Sequence, residues 1–162
     1  MPVKKTSLTN SNLRRIKANS KRIGNFKNEN AVRDFTFIID EPTKLGGTNA
    51  APTPMEYILG SFNGCVLIVV ELVAKEIGFT FTDLRAESTG TIDRRGLKGT
   101  ADVSPQFQEV SNTIWFETEE NEERLEELKT IVKRRCPAYN LFNDTGIHVK
   151  LNWLKIKEGE IV

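Results

Sequence analysis

The chain predicts an α+β fold with a mainly antiparallel sheet set around one long, strongly apolar helix. Three observations carry that expectation. The stretch from Pro52 to Gly78 (PTPMEYILGSFNGCVLIVVELVAKEIG) is apolar on almost every side, and a helix without a broad polar face must be buried. Strand-like segments lie before and after it without regular alternation with helices, which favours segregated α and β elements. The chain has only 162 residues. One sheet covers one side of such a helix, so a second copy of the chain is expected to cover the other.

Taken in order, residues 1–12 (MPVKKTSLTNSN) read as a flexible leader and residues 13–162 as a single domain. Leu13 to Lys27 is strand-like with a turn near Asn25. A firmer strand follows from Arg33 to Asp40, where Phe35, Phe37 and Ile39 alternate with their neighbours. The segment EPTKLGGTNAAPTP is a Pro-, Gly- and Asn-rich loop. The central helix opens on Thr53 as N-cap, Pro54 as first helical residue and Glu56 in the capping-box position. Gly60 and the pair Asn63-Gly64 weaken its middle. A break is expected there, with a second helix from about Cys65 to Ile77 and Gly78 as its stop.

Beyond it, Phe79 to Asp93 reads as a strand, Arg94-Arg95-Gly96 as a turn, and Val103 to Thr118 as one long strand or a pair. Asn121 caps a helix running to Arg135, whose stripe is Leu125, Leu128, Ile131 and Val132. Acidic residues crowd its first turns and Lys133, Arg134 and Arg135 its last, as the helix dipole prefers. Cys136-Pro137 starts a short helix through Phe142. The last strand, Ile147 to Ile156, puts Ile147, Val149, Leu151 and Trp153 on one face.

Hydrophobic residues at 38% and charged residues at 28% describe a globular chain able to bury a core without disulfide staples. A formal net charge of +1 argues against a dedicated nucleic-acid binder. Eight Lys and Arg residues, from Lys4 to Lys27, precede the first acidic residue, Glu29. This basic leading stretch is read first as a polar edge that discourages aggregation, and second as a surface for an anionic partner. The leader has no apolar core of a secretory signal, and the longest apolar run, Cys65 to Val70, stops at Glu71. No membrane association and a cytoplasmic location are expected. Two cysteines in a reducing compartment are not a structural framework, so a bridge there would be transient and chemical.

The thiols carry the sharpest chemistry in the chain. A cysteine reacts as its thiolate, which a helix N-terminus stabilises. Cys136 stands at one such start, and a break at Gly64 would place Cys65 at another. Two inert buried thiols remain the plain alternative, since cysteine is often buried for packing. No metal is expected, because two Cys and the single His148 lack the paired spacings of a zinc site. Gly46-Gly47 lacks the Lys-Ser/Thr of a phosphate loop and no GxGxxG opens a helix, so no nucleotide cofactor is expected either.

The segment PTPMEYILGSFNGC, the helix after it, and RRCPAYNLF some seventy residues later resemble the two cysteine motifs of the OsmC/Ohr family, nearer its OsmC-like branch. The loop DEPTKLGGTNAAPTP is similar to the one preceding that family's central helix, and the likeness runs from about Arg33 to Trp153. The resemblance implies an intertwined homodimer, with antiparallel sheets wrapped around long central helices and active sites at the subunit interface. It implies thiol-dependent reduction of organic hydroperoxides, with Cys65 as the peroxidatic thiol, Cys136 as the resolving thiol, and a dithiol reductant to reopen their disulfide. An apolar pocket lined by Tyr57, Phe62 or Phe142 would suit an alkyl peroxide. The family's Arg-Glu pair maps onto Glu56 and onto Arg22, with Arg33 in reserve. Along an unbroken helix Glu56 and Cys65 would face opposite ways, so either the break reorients them or the partner chain supplies one of them. The alternative function is a non-catalytic dimer that binds an apolar small molecule or a protein on the same scaffold.

Overall fold

The computed structural model describes residues 12–157, so the expected leader lies, apart from Asn12, outside the described residues. The chain divides into two compact units, Met1–Pro54 and Met55–Val162. In the first, β1 (Asn19–Gly24), β2 (Lys27–Val32) and β3 (Phe35–Ile39) form an antiparallel meander. Arg22 pairs with Asn28 across β1–β2, and Asn30 with Phe37 across β2–β3. The first turn falls at Asn25-Phe26, as expected, with Phe26 in the left-handed region at φ 53°. The strand read as second, Arg33 to Asp40, is the core of the third. The strand between them, KNENAV, has too little apolar alternation to announce itself.

The loop after β3 is organised by one buried carboxylate. Asp40 accepts hydrogen bonds from the Glu41 N–H (2.8 Å), the Thr48 N–H (3.2 Å), the Ala50 N–H (3.0 Å) and the Thr48 hydroxyl. The Thr48 hydroxyl, then the backbone donors, hold its pKa well below the usual carboxylate range. Gly47 is required here by close approach, since a Cβ would lie 1.9 Å from the Glu41 carbonyl oxygen.

The second unit begins on α1 (Pro54–Ile77), an unbroken helix of 24 residues. This corrects the expected break at Asn63-Gly64. A mid-helix glycine costs about 1 kcal/mol relative to alanine. Fully burying each of Phe62, Val66, Val70 and Val73 contributes roughly 1.5–3 kcal/mol, so packing outweighs the weak propensity. Asn63 is held as well: its Oδ1 accepts from Ser88 Oγ (2.6 Å) and Asn112 Nδ2 (2.9 Å) on the sheet below. By length and composition α1 could cross a bilayer, yet Phe62, Val66, Val69, Val70, Val73 and Ala74 face the protein core.

That core is closed by β4 (Asp83–Ile92), β5 (Phe107–Glu117) and β6 (His148–Ile156). Strands β4 and β5 pair antiparallel, but β5 and β6 pair parallel. The parallel pair is the one departure from the antiparallel pairing expected, and it follows from connectivity. A parallel neighbour needs a crossover, and α3 (Glu122–Arg135) with α4 (Pro137–Asn143) supplies it. The expected turn at Arg94-Arg95-Gly96 is a short helix, α2 (Arg94–Lys98), capped by Asp93 accepting from the Arg95 N–H at 3.0 Å. For α3 the expected Asn121 cap is in place, accepting from the Arg124 N–H at 2.9 Å. Leu125, Leu128 and Val132 of α3 meet Val110, Ile114 and Phe116 of β5 and Trp153 of β6 in one buried cluster with α1.

Candidate functional site

The two thiols, 71 residues apart, meet within this unit. Cys136 Sγ lies 3.7 Å from Cys65 Sγ, and both are free cysteines. Sulfurs at that distance are in contact but not bonded, since a disulfide needs about 2.0 Å. Cys65 sits in the middle of α1, half-buried. The expectation that it starts a helix therefore fails with the expected break.

Cys136 is the hinge residue of a helical corner. It ends α3, where its N–H donates to the Val132 carbonyl at 2.8 Å, and it N-caps α4. Its sulfur accepts from the Tyr139 N–H at 3.5 Å. A helix N-terminus alone would lower the thiol pKa, as the sequence suggests, but Cys136 is completely buried. Burial dominates and pushes the Cys136 thiol up to about 11; the Tyr139 N–H opposes it and neighbouring Cys65 reinforces it. At neutral pH Cys136 keeps its proton and donates it toward Cys65 Sγ.

Three more features fix the pair. Arg135, the residue before Cys136, makes a two-pronged ion pair with Glu76 of α1, with Nη2–Oε1 at 2.9 Å. It ties the end of α3 to the helix that carries Cys65. The Asn140 side chain, four residues after Cys136, donates to the Lys133, Arg134 and Cys136 carbonyls at 3.2, 3.4 and 2.8 Å. Phe62, one turn before Cys65, meets Phe142 edge-on at 5.1 Å, and Phe142 meets Phe107 at 5.8 Å. These three buried rings form an aromatic wall that Phe62 joins to the helix carrying Cys65.

Glu56 lies in the first turn of α1 and is exposed. Nine helical residues separate it from Cys65, roughly 13.5 Å along the axis and half a turn round it. Glu56 does not face the thiols of its own chain. Arg22 is exposed on β1 of the first unit, opposite Asn28. Arg33 sits at the β2–β3 turn with φ 55°, its guanidinium 5.0 Å over the Phe35 ring. Tyr57 is half-buried in the first turn of α1. His148 is exposed on β6, in register with Glu109. Among the described residues no three His, Cys, Asp or Glu side chains converge to hold a metal ion.

Residues 47–152 match a family model described as OsmC-like protein. No curated protein matches the chain by sequence. Solved structures of similar fold include an OsmC-like protein from Mycoplasma pneumoniae, 16% identical with a TM-score of 0.77, covering 88% of this chain and 98% of that one. An organic hydroperoxide resistance protein, OsmC, from Legionella pneumophila is 16% identical with a TM-score of 0.64, covering 89% and 98%. The organic hydroperoxide resistance protein OhrB of Bacillus subtilis is 19% identical with a TM-score of 0.59, covering 86% and 97%.

Proposed function

This chain belongs to the OsmC-like protein family, and we propose that it is a thiol peroxidase that reduces organic hydroperoxides in the cytoplasm. The observation that carries the reading is the 3.7 Å contact between Cys65 and Cys136, with the two sulfurs in unlike surroundings. Cys65 is the more accessible and takes the peroxide. Its thiolate attacks the terminal oxygen, the O–O bond breaks, the alkoxide leaves and is protonated to an alcohol, and Cys65 becomes a sulfenic acid. Cys136, kept protonated by burial, is unreactive toward peroxide but stands next to the sulfenic sulfur. It attacks that sulfur, its proton leaves with the hydroxyl as water, and a Cys65–Cys136 disulfide forms. A dithiol reductant then reduces the bridge by exchange, taking up the two electrons' worth of oxidation.

The Phe62–Phe142–Phe107 wall favours an alkyl over a small polar peroxide. The names of similar folds, which include organic hydroperoxide resistance proteins, point the same way. Arg22 is assigned to the thiolate as its stabilising cation, with Arg33 less available because it already stacks on Phe35. Glu56 completes the Arg–Glu pair across a homodimer, because it faces away from Cys65 on its own helix. The cycle uses no metal and no organic cofactor.

Substitution decides the matter. Cys65→Ser should reduce consumption of cumene hydroperoxide to background, and Cys136→Ser should turn over once and stop at a sulfenic acid trapped by dimedone. Mass mapping of the oxidised wild type should show the intrachain Cys65–Cys136 bridge. Undiminished turnover by Cys65→Ser would end this reading.

A further inference from the structure

Beyond the thiols themselves, the α3–α4 corner contains a side chain, Asn140, whose amide donates to three backbone carbonyls. The last carbonyls of a helix have no partners within it. At the end of α3 the Val132 carbonyl is met by the Cys136 N–H, and the next carbonyls are met from outside the helix. The donor is the Asn140 amide, whose Nδ2 lies 3.2 Å from Lys133 O and 3.4 Å from Arg134 O. The same nitrogen lies 2.8 Å from Cys136 O. One amide group, carried on α4, thus bonds two of the last carbonyls of α3 and the cysteine's own carbonyl at the corner.

We propose that Asn140 is a positioning residue for Cys136, a clamp that fixes the α3–α4 corner so that the Cys136 sulfur stays against Cys65. The inference rests on the disulfide cycle set out above. The other local restraints on Cys136 are its N–H bond to the Val132 carbonyl at 2.8 Å, the Asn140 backbone N–H on its carbonyl at 3.1 Å and the weak 3.5 Å contact of the Tyr139 N–H with its sulfur, and none of them reaches the Lys133 or Arg134 carbonyls of α3. The Glu76–Arg135 pair restrains the neighbouring residue but is solvent-exposed, and exposed ion pairs contribute little. The clamp is chemically specific. It requires a neutral N–H donor at position 140; an aspartate there would set an anion against three carbonyl oxygens.

A thiol pair held in contact behaves as though each sulfur saw the other at high concentration, and loosening the corner lowers that effective concentration. The test is a redox equilibrium that needs no peroxidase activity. Wild type, Asn140→Ala and Asn140→Asp are equilibrated with reduced and oxidised dithiothreitol. Cys65 and Cys136 are oxidised together as the cyclic disulfide of the reagent is reduced, and the bridged fraction is read by mass after alkylation. The expected result is a bridging constant at least about tenfold lower in both variants, measured well below their unfolding temperatures. Asn143→Ala, at the exposed end of the same helix, should match wild type. Asn140→Ser, whose hydroxyl can still reach the Cys136 carbonyl one turn back, should fall between, and it carries the test if the other two do not fold. A constant within about twofold of wild type in the folded variants overturns the clamp alone. A wild type that forms no intrachain bridge overturns the two-thiol cycle and the clamp with it.

Discussion

At the scale of single residues, the two cysteines are chemically unequal because of where the backbone puts them. Cys65 looks out from the middle of a helix; Cys136 is sealed at a corner with its pKa pushed up to about 11. Burial of this kind has a thermodynamic signature. An unfolded cysteine releases its proton near pH 8.5, while the folded state holds the Cys136 proton to higher pH. The stability this contributes is fully present below about pH 8.5 and is lost as the pH rises toward 11. Urea melts of the reduced protein at about pH 7.5 and about pH 10 should show a fall in stability that is visibly smaller in Cys136→Ala. Parallel pH dependence in the two proteins would remove burial as the cause. The sequence exposed the identity of both thiols, through motifs whose residues are contiguous. It did not expose their unlike environments, because these depend on contacts between α1 and a corner 71 residues away. Asn140 was invisible for the same reason: it reads as one more polar residue in a short helix until the carbonyls it meets are seen.

At the scale of elements, glycine shows why propensity misled and packing did not. Gly60 and Gly64 suggested a broken α1, yet a Cβ added at either would touch nothing within 4 Å. They are weak points of a helix held by its other face. Gly90 on β4 is the opposite case. A Cβ there would lie 2.6 Å from two atoms of the Phe107 ring and 3.4 Å from Leu59. The pair of substitutions should therefore diverge. Gly60→Ala is expected to stabilise the protein by about 0.5–1 kcal/mol through helix propensity. Gly90→Ala is expected to cost about 1–3 kcal/mol by overpacking the ring that backs Phe142. Chemical denaturation of both variants checks this, and equal effects would contradict the packing described. Strong periodic signals, in α3 and β6, were legible from sequence to within a residue or so. The polar strand β2 and the parallel β5–β6 pairing were not, since the first is fixed by its neighbours' backbones and the second by the crossover.

At the scale of the molecule, the described residues include several large apolar side chains that stand exposed. Every buried hydrophobic residue belongs to the second unit, while in the first Ile23, Phe26 and Phe35 are 46%, 58% and 63% exposed. A three-stranded meander needs an apolar face packed against something for stability. The second unit has its own bare stripe. Ile58, Ile68 and Leu72 of α1 are 44%, 61% and 53% exposed. Their spacing places them on one side of the helix, with Cys65 falling between Ile58 and Leu72 at heptad intervals. The thiol therefore lies on the seam between its own core and the uncovered face. We propose that a second copy of the chain covers this stripe, which would account for the near-uniform hydrophobicity of α1. Sedimentation equilibrium should give twice the 18.3 kDa chain mass at micromolar concentration. Ile68→Glu and Leu72→Glu should shift the protein toward monomer, since each buries an unpaired charge at the centre of the interface. Hydroperoxide turnover should fall with dimer content in the same variants. A wild type that sediments as a monomer yet retains full turnover would separate the chemistry from the dimer and remove Glu56 from the site.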